Sequence, residues 1–329
     1  MKTRKLHDLE VSEIGMGCMG FSHGYGAVPE ESYSIEAIRK AHDYGCNFFD
    51  TAEVYGYQQF EFGHNERLVG KALESFRKDI VLATKLHLAT EEPEQDGSLY
   101  NTIRRHLEAS MEHLRTDYID LYYLHRVNPD IPVEDVAEVM GKLIKEGLIR
   151  GWGMSMVNTE FLERVQNITP LSAVQNIYSM VDRDYEKKVI PYCAEHDIGF
   201  VAFSPMASGF LSGKVTTETQ FGFDDVRVWV PQMKKENLIA NQPVLDLISG
   251  YAEDKNVTKA QIALAWMLKK YPHVVPIPGS RNQERIIENL GAWNVQLSDT
   301  EFSALDKALS DIIIHGSRKD VGFDTEYID

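Results

Sequence analysis

The sequence predicts an α/β chain folded as a (β/α)8 TIM barrel, one domain over residues 1–329 with an N-terminal β-hairpin and an extra C-terminal helix. Two observations predict it. Eight short apolar runs rich in Val, Ile, Phe and Tyr recur along the chain, and the segments between them carry an apolar period near 3.6 residues, so buried strands alternate with amphipathic helices. Strand then helix, repeated, implies a parallel sheet with right-handed crossovers. Eight units fit a closed barrel. An open doubly wound sheet shares this rhythm, so spacing alone leaves both architectures open.

The elements follow in order. Residues 3–6 and 10–12 read as a hairpin that plugs the bottom of the barrel. The strands are expected at 13–15, 48–50, 80–85, 119–125, 151–155, 173–177, 199–203 and 274–277. The first helix begins around Glu30. Ile103, Leu107, Met111 and Leu114 form a helical stripe with Ser98 as N-cap. Val133, Val136, Met140 and Leu143 form another, stopped by Gly147. Thr258 with Gln261 and Ser298 with Glu301 read as capping boxes, the second opening the C-terminal helix. Residues 213–242 lack a strand or a strong period and read as a long connection with a helix inside it.

Bulk properties exclude several classes. No run of 18 apolar residues appears, so no membrane span is expected. The opening MKTRKLHDLE has no apolar stretch behind its basic residues and does not read as a signal peptide. Cys18, Cys46 and Cys193 cannot all pair and lack C-x-x-C spacing, which points to a reducing, cytoplasmic setting. A net charge of −16 argues against a nucleic-acid partner. An anionic cofactor would need a local cluster of arginines or backbone N–H groups.

Gly15, Gly17 and Gly20 match G-x-G-x-x-G after a strand. A dinucleotide fingerprint of that kind needs a helix to open at once behind it. Here a loop with two more glycines and Pro29 follows, which discounts a Rossmann fold. The glycines instead allow a close approach of a ligand or a neighbouring loop.

Active sites of (β/α)8 barrels sit at the C-terminal strand ends. Asp50, Lys85 and His125 end three successive strands, and Tyr55 follows Asp50 by a short loop. Alone, such an Asp is ordinarily a cap, such a Lys is solvated, and such a His is structural. Together they would point into one mouth and supply the parts of carbonyl reduction. A phenol near pKa 10 is a reluctant acid. A nearby ammonium lowers that pKa, a carboxylate keeps the ammonium charged and in place, and a histidine orients the carbonyl oxygen. Gly279, Ser280, Arg281 and Arg285 follow the last strand and open a helix, where barrels commonly hold phosphate.

FFDTAEVYG (48–56), ATKLH (83–87), DLYYLHR (120–126), IRGWGMS (149–155), VQNIYS (174–179), FSPMASGFLSGK (203–214) and PIPGSRNQERIIENLGA (276–292) occur in this order. In order and spacing the chain resembles the aldo-keto reductase family over nearly its whole length. The resemblance implies an NADP(H)-dependent oxidoreductase acting on CH–OH or carbonyl groups, with NAD(H) as a second possible cofactor. It maps Asp50, Tyr55, Lys85 and His125 onto the family's catalytic tetrad, Tyr55 being the general acid. Ser155 and Gln175 would hydrogen-bond the nicotinamide carboxamide, and Phe203 would stack on the ring where the family often has Tyr. Ser204, Pro205, Met206, Gly209, Leu211 and Lys214 would follow the pyrophosphate. Gly279, Ser280, Arg281 and Arg285 would reach the adenosine ribose and its 2′-phosphate, with Glu288 and Asn289 facing the adenine. Two positions depart from the usual pattern. Gly279 stands where many members have Lys, with Arg281 two residues on, and Met156 replaces an Asn whose contact Asn176 could supply.

Phe21, Tyr25, Tyr57, Phe60, Phe62 and Trp152 crowd the expected mouth and, with His23, His87 and Arg126, are expected to shape a substrate pocket. The expected substrate is a small carbonyl compound, an aliphatic or aromatic aldehyde, sugar-derived ones included. Cys18, near the mouth, is the one cysteine expected to be able to react. A metallohydrolase would need clustered ligands such as H-x-H or H-E-x-x-H, and neither occurs among the 11 histidines. Some family relatives sense the cofactor as channel subunits and retain the tetrad, so a regulatory module with little turnover is the alternative function.

Overall fold

Strands β1 (Thr3–Leu6) and β2 (Leu9–Ser12) pair antiparallel and form the hairpin. The eight that follow are β3 (Met16–Gly17), β4 (Phe48–Asp50), β5 (Val81–Leu86), β6 (Ile119–Leu124), β7 (Ile149–Ser155), β8 (Ala173–Ile177), β9 (Gly199–Phe203) and β10 (Val274–Pro276). They lie side by side in sequence order and every neighbouring pair is parallel. The backbone N–H of Gly15 donates to the carbonyl of Pro276 at 2.9 Å, joining the last strand to the segment that enters the first. A doubly wound sheet would reverse its order partway. The uninterrupted order and this closing bond make a (β/α)8 barrel. The computed structural model describes residues 2–222 and 225–318.

Two apolar clusters follow from the two faces of each strand. Phe48, Val81, Ala83, Leu121, Tyr123, Ala173, Val201, Val275 and Ile277 fill the barrel interior, and Leu6, Leu9 and Val11 of the hairpin close its lower end. The larger cluster lies between the strands' outer faces and the helices. Two glycines make room for this packing. A Cβ on Gly15 would meet the Phe48 ring at 2.5 Å, and one on Gly199 would meet Leu6 Cδ2 at 2.2 Å. The first glycine of the G-x-G-x-x-G run thus serves strand contact.

The helix signals are realised. Ser98 caps Leu99–His113 by accepting from the Asn101 N–H, and both capping boxes form, at Lys259–Lys270 and Asp299–Ser310. The first strand begins later than the apolar pattern suggests, because Glu13 turns to Arg4 and the Lys2 carbonyl before the parallel ladder starts. The long connection carries the short turns Val226–Trp229 and Pro231–Met233 and the helix Lys235–Ala240. It is tied to the mouth, since Val226 N–H donates to the Gly24 carbonyl at 3.0 Å. Among the described residues no helix is long and apolar enough to cross a membrane.

Candidate active site

Strand alternation decides what reaches the mouth. Residues that fill the interior recur every second position, and on five strands the next inward position is polar or aromatic. Phe48 is followed by Asp50, Ala83 by Lys85, Tyr123 by His125, Ala173 by Gln175 and Val201 by Phe203. These side chains therefore stand on top of a closed apolar floor. The loop after β4 brings Tyr55 over them.

Lys85 is wholly buried and Asp50 nearly so. The Lys85 ammonium donates to Asp50 Oδ1, to the Thr51 carbonyl at 2.7 Å and to Tyr55 Oη at 3.2 Å. Gln175 Nε2 donates to the other Asp50 oxygen at 2.7 Å. Every donor of the ammonium is used, and Tyr55 Oη accepts, so its own hydrogen is left to donate elsewhere. The His125 ring meets the Tyr55 ring edge-on with centroids 5.7 Å apart.

Burial and charge oppose each other here. Burial disfavours the Lys85 ammonium, but Asp50 and Tyr55 outweigh it and hold Lys85 above its ordinary value. Burial pushes the Asp50 carboxyl up, against the pull of Lys85 and Gln175. Burial also raises the Tyr55 phenol, and Lys85 only partly offsets this. That corrects the expectation of a lowered phenol: Tyr55 is a fully protonated acid at neutral pH. Burial, then Arg126 and Lys85, hold His125 well below 6.5, so its imidazole is neutral.

A histidine kept neutral in the fold but free to protonate when unfolded makes the unfolded state bind more protons below about pH 6.5. Stability is therefore expected to fall as pH drops through that range. His125→Gln should flatten the fall. Melting temperatures of both proteins between pH 7.5 and 5 check this, and superimposable profiles would refute it.

A cleft of about 630 Å³ opens above these residues, within the range of small-ligand sites. Arg126, Lys214, Arg227, Arg281, Arg285 and Arg318 line it against two acids, Asp50 and Glu288. In a chain of net charge −16 this is the local cation cluster that a phosphate-bearing ligand requires. The loop after β9 adds backbone donors. Ser204, Ala207 and Ser208 adopt φ of 55°, 46° and 55°, and Gly209 follows at 99°. Such left-handed turns gather successive N–H groups into anion-binding concavities, and strain of this kind concentrates at functional sites.

Of the expected cofactor residues, Ser155, Gln175, Phe203, Ser204, Pro205, Met206, Gly209, Lys214, Gly279, Ser280, Arg281, Arg285, Glu288 and Asn289 all line the cleft. Leu211 does not: its side chain is wholly buried in the outer apolar cluster. Asn176 does not either. It faces outward, and its amide is spent on the Val157 N–H and carbonyl at 3.1 and 2.7 Å. Ser280 is not the cap of the helix Gln283–Leu290; Asn282 is, accepting from the Arg285 N–H.

The substrate-side expectations need more correction. Arg126, His23 and Tyr25 line the cleft. Trp152 lies outside it, wholly buried among the helices, with Nε1 donating to the Thr169 carbonyl at 3.0 Å. Phe21 is buried in the same outer cluster. Tyr57 and Phe60 are 45 and 49% exposed on a loop beyond the cleft, Phe60 stacked on His64, and His87 is exposed. Cys18 is fully buried, and burial beside Asp50 pushes its thiol far up, so it is unreactive. Arg227 and Arg318 were not foreseen. Both sit in irregular segments with no strand end before them, so no periodicity marks them.

The comparisons agree with this geometry. Residues 13–310 match the model of the aldo/keto reductase family. A probable aldo-keto reductase 1 of Glycine max is 36% identical over 96% of this chain and 90% of its own length. An aldo-keto reductase of Schizosaccharomyces pombe whose name carries NADP(+) is 33% identical over 96 and 94%. The solved glycerol dehydrogenase of Gluconobacter oxydans superposes with a TM-score of 0.83 at 27% identity, covering 94% of this chain and 95% of that one. Family match, sequential barrel and a cation-lined cleft over a buried Lys–Asp–Tyr cluster converge: the chain belongs to the aldo/keto reductase family.

Proposed function

We propose that this protein reduces aldehyde or ketone carbonyls to alcohols, with Tyr55 as proton donor. One observation carries the reading: a protonated phenol lies 3.2 Å from a buried ammonium that a buried carboxylate keeps charged, at the floor of a cation-lined cleft. The donor set fits a phosphorylated dinucleotide, and the NADP(+)-named relative supports NADP(H) over NAD(H). When bound, that cofactor supplies the hydride.

The chain's residues do the rest. Tyr55 gives its proton to the carbonyl oxygen as charge grows there, and Lys85 stabilises the phenolate left behind. Asp50 keeps Lys85 ionised and aimed. Neutral His125 donates to the same carbonyl oxygen and fixes its approach. Ser155 and Gln175 hold the nicotinamide carboxamide, and Phe203 backs the ring. Ser204, Met206, Gly209 and Lys214 follow the pyrophosphate, and Ser280, Arg281 and Arg285 take the 2′-phosphate. The substrate class is small aldehydes, and the neighbouring glycerol dehydrogenase supports polyol-derived carbonyls among them.

Titration of the protein with NADPH and NADH by its fluorescence, followed by NADPH consumption on an aldehyde panel, tests the reading. Tight NADPH binding with turnover supports it. Binding without turnover favours a sensing role, and no binding of either nucleotide overturns it. Arg281 also donates to the carbonyls of Tyr25 and Ala27 at the rim. Arg281→Ala is therefore expected to weaken NADPH by about 10- to 100-fold, the worth of a charged phosphate contact, and NADH by only a few-fold through the looser rim. Equal losses would remove the 2′-phosphate assignment.

A further inference from the structure

The segment after the last helix turns back over the barrel mouth and ends, among the described residues, at Arg318. Its Nη2 donates to Ser204 Oγ at 3.1 Å and to Ser208 Oγ at 3.2 Å. Both serines stand in the left-handed turns after β9. The Nε of Arg318 is buried with no hydrogen-bond partner among the described residues, and its nearest carboxylate oxygen, on Asp182, is 4.0 Å away. The residue lines the cleft.

We infer that Arg318 is a ligand of the dinucleotide's pyrophosphate, placed by the C-terminal segment over the Ser204–Ser208 turn. The inference rests on the dinucleotide reading of the cleft. Three features carry it. A guanidinium at about 15% side-chain exposure with a spare donor and no close carboxylate is an incomplete ion pair; burial of that kind is costly until an anion completes it. Both serine hydroxyls accept from Arg318; Ser208 also meets Tyr25, and the hydrogen of Ser204 is left to donate to a further acceptor. The turn that carries them also presents backbone N–H groups, so charge, hydroxyls and amides surround one spot. Lys214, a cation of the loop after β9, already meets Glu288 at 3.3 Å, whereas the carboxylate beside Arg318 stands 4.0 Å off.

The location separates this role from that of Arg281. Arg281 and Arg285 belong to the segment after β10, on the adenosine side. Arg318 is held by the loop after β9, where the part common to NADPH and NADH lies. Removing Arg318 should therefore weaken both dinucleotides alike.

The test is fluorescence titration of the wild-type protein and Arg318→Ala with NADPH, NADH and ADP-ribose, each with a thermal melt. The expected result is an unchanged melting temperature and a loss of about 10- to 100-fold in affinity for all three ligands, equal within about threefold. Arg318→Gln, which keeps most of the stem, replaces the alanine variant if that one melts early. Wild type that binds while the variant titrates unchanged overturns this inference alone, as does a loss confined to NADPH. Wild type that binds neither dinucleotide overturns the functional reading and this inference with it.

Discussion

Tyr55→Phe is expected to lower kcat for carbonyl reduction by at least about 10²- to 10⁴-fold, the range for loss of a positioned proton donor. The phenol is the one acidic O–H placed over the Lys85 ammonium, and Phe keeps the ring but not the proton. The ring's contacts with His125 and His23 survive, so the cleft should keep its shape. Affinity for NADPH should consequently stay within about twofold, since each 1.4 kcal/mol is tenfold and no cofactor contact is removed. Steady-state kinetics and fluorescence titration on the same preparation check both halves. Turnover within tenfold of wild type would overturn the assignment of Tyr55 as acid.

Lys85→Met should abolish turnover and also destabilise the fold, by about 3–5 kcal/mol, because it strands Asp50 as a buried carboxylate without its cation. Met fills nearly the same volume, so packing is not the cause. The double variant Asp50→Asn with Lys85→Met separates charge from volume. It leaves an amide that can still accept from Gln175, and stability should recover while activity does not. Urea denaturation of the two variants measures this. A Lys85→Met protein as stable as wild type, or a double variant no more stable than the single, would show that the buried pair is not the source of the penalty. Tyr55→Phe should leave stability nearly intact, so the two substitutions distinguish the chemical role from the structural one.

Much of this molecule was legible in local signals. The capping boxes at Thr258 and Ser298 and the cap at Ser98 formed as their residues dictate, because a cap joins groups within one turn of helix. Strands β4, β8 and β9 have the expected bounds, since each apolar run is bracketed by polar or glycine residues. The signal that would have corrected two site errors was also present. Counting by twos from Ser155 along β7 places Trp152 on the outer face, and counting from Gln175 along β8 does the same for Asn176. The aromatic loop at 57–62 misled for another reason: loop side chains have no period, so nothing local says whether Phe60 turns toward the mouth or stacks on His64.

By itself the sequence determined the βα rhythm, the caps, the acid–base residue types and their placement at the ends of successive strands, because all of these are set by near neighbours in the chain. Only the tertiary structure decided the rest. Closure of the barrel brings residues 15–17 against residues 276–279, contacts about 260 positions apart in the chain. The phenol's pKa is raised because burial outweighs a neighbouring ammonium, a balance of two opposing effects that composition cannot weigh. Arg227 and Arg318 enter the cleft from segments far along the chain. Loop paths depend on what the whole barrel leaves open, and a guanidinium's partners are found in space rather than in sequence.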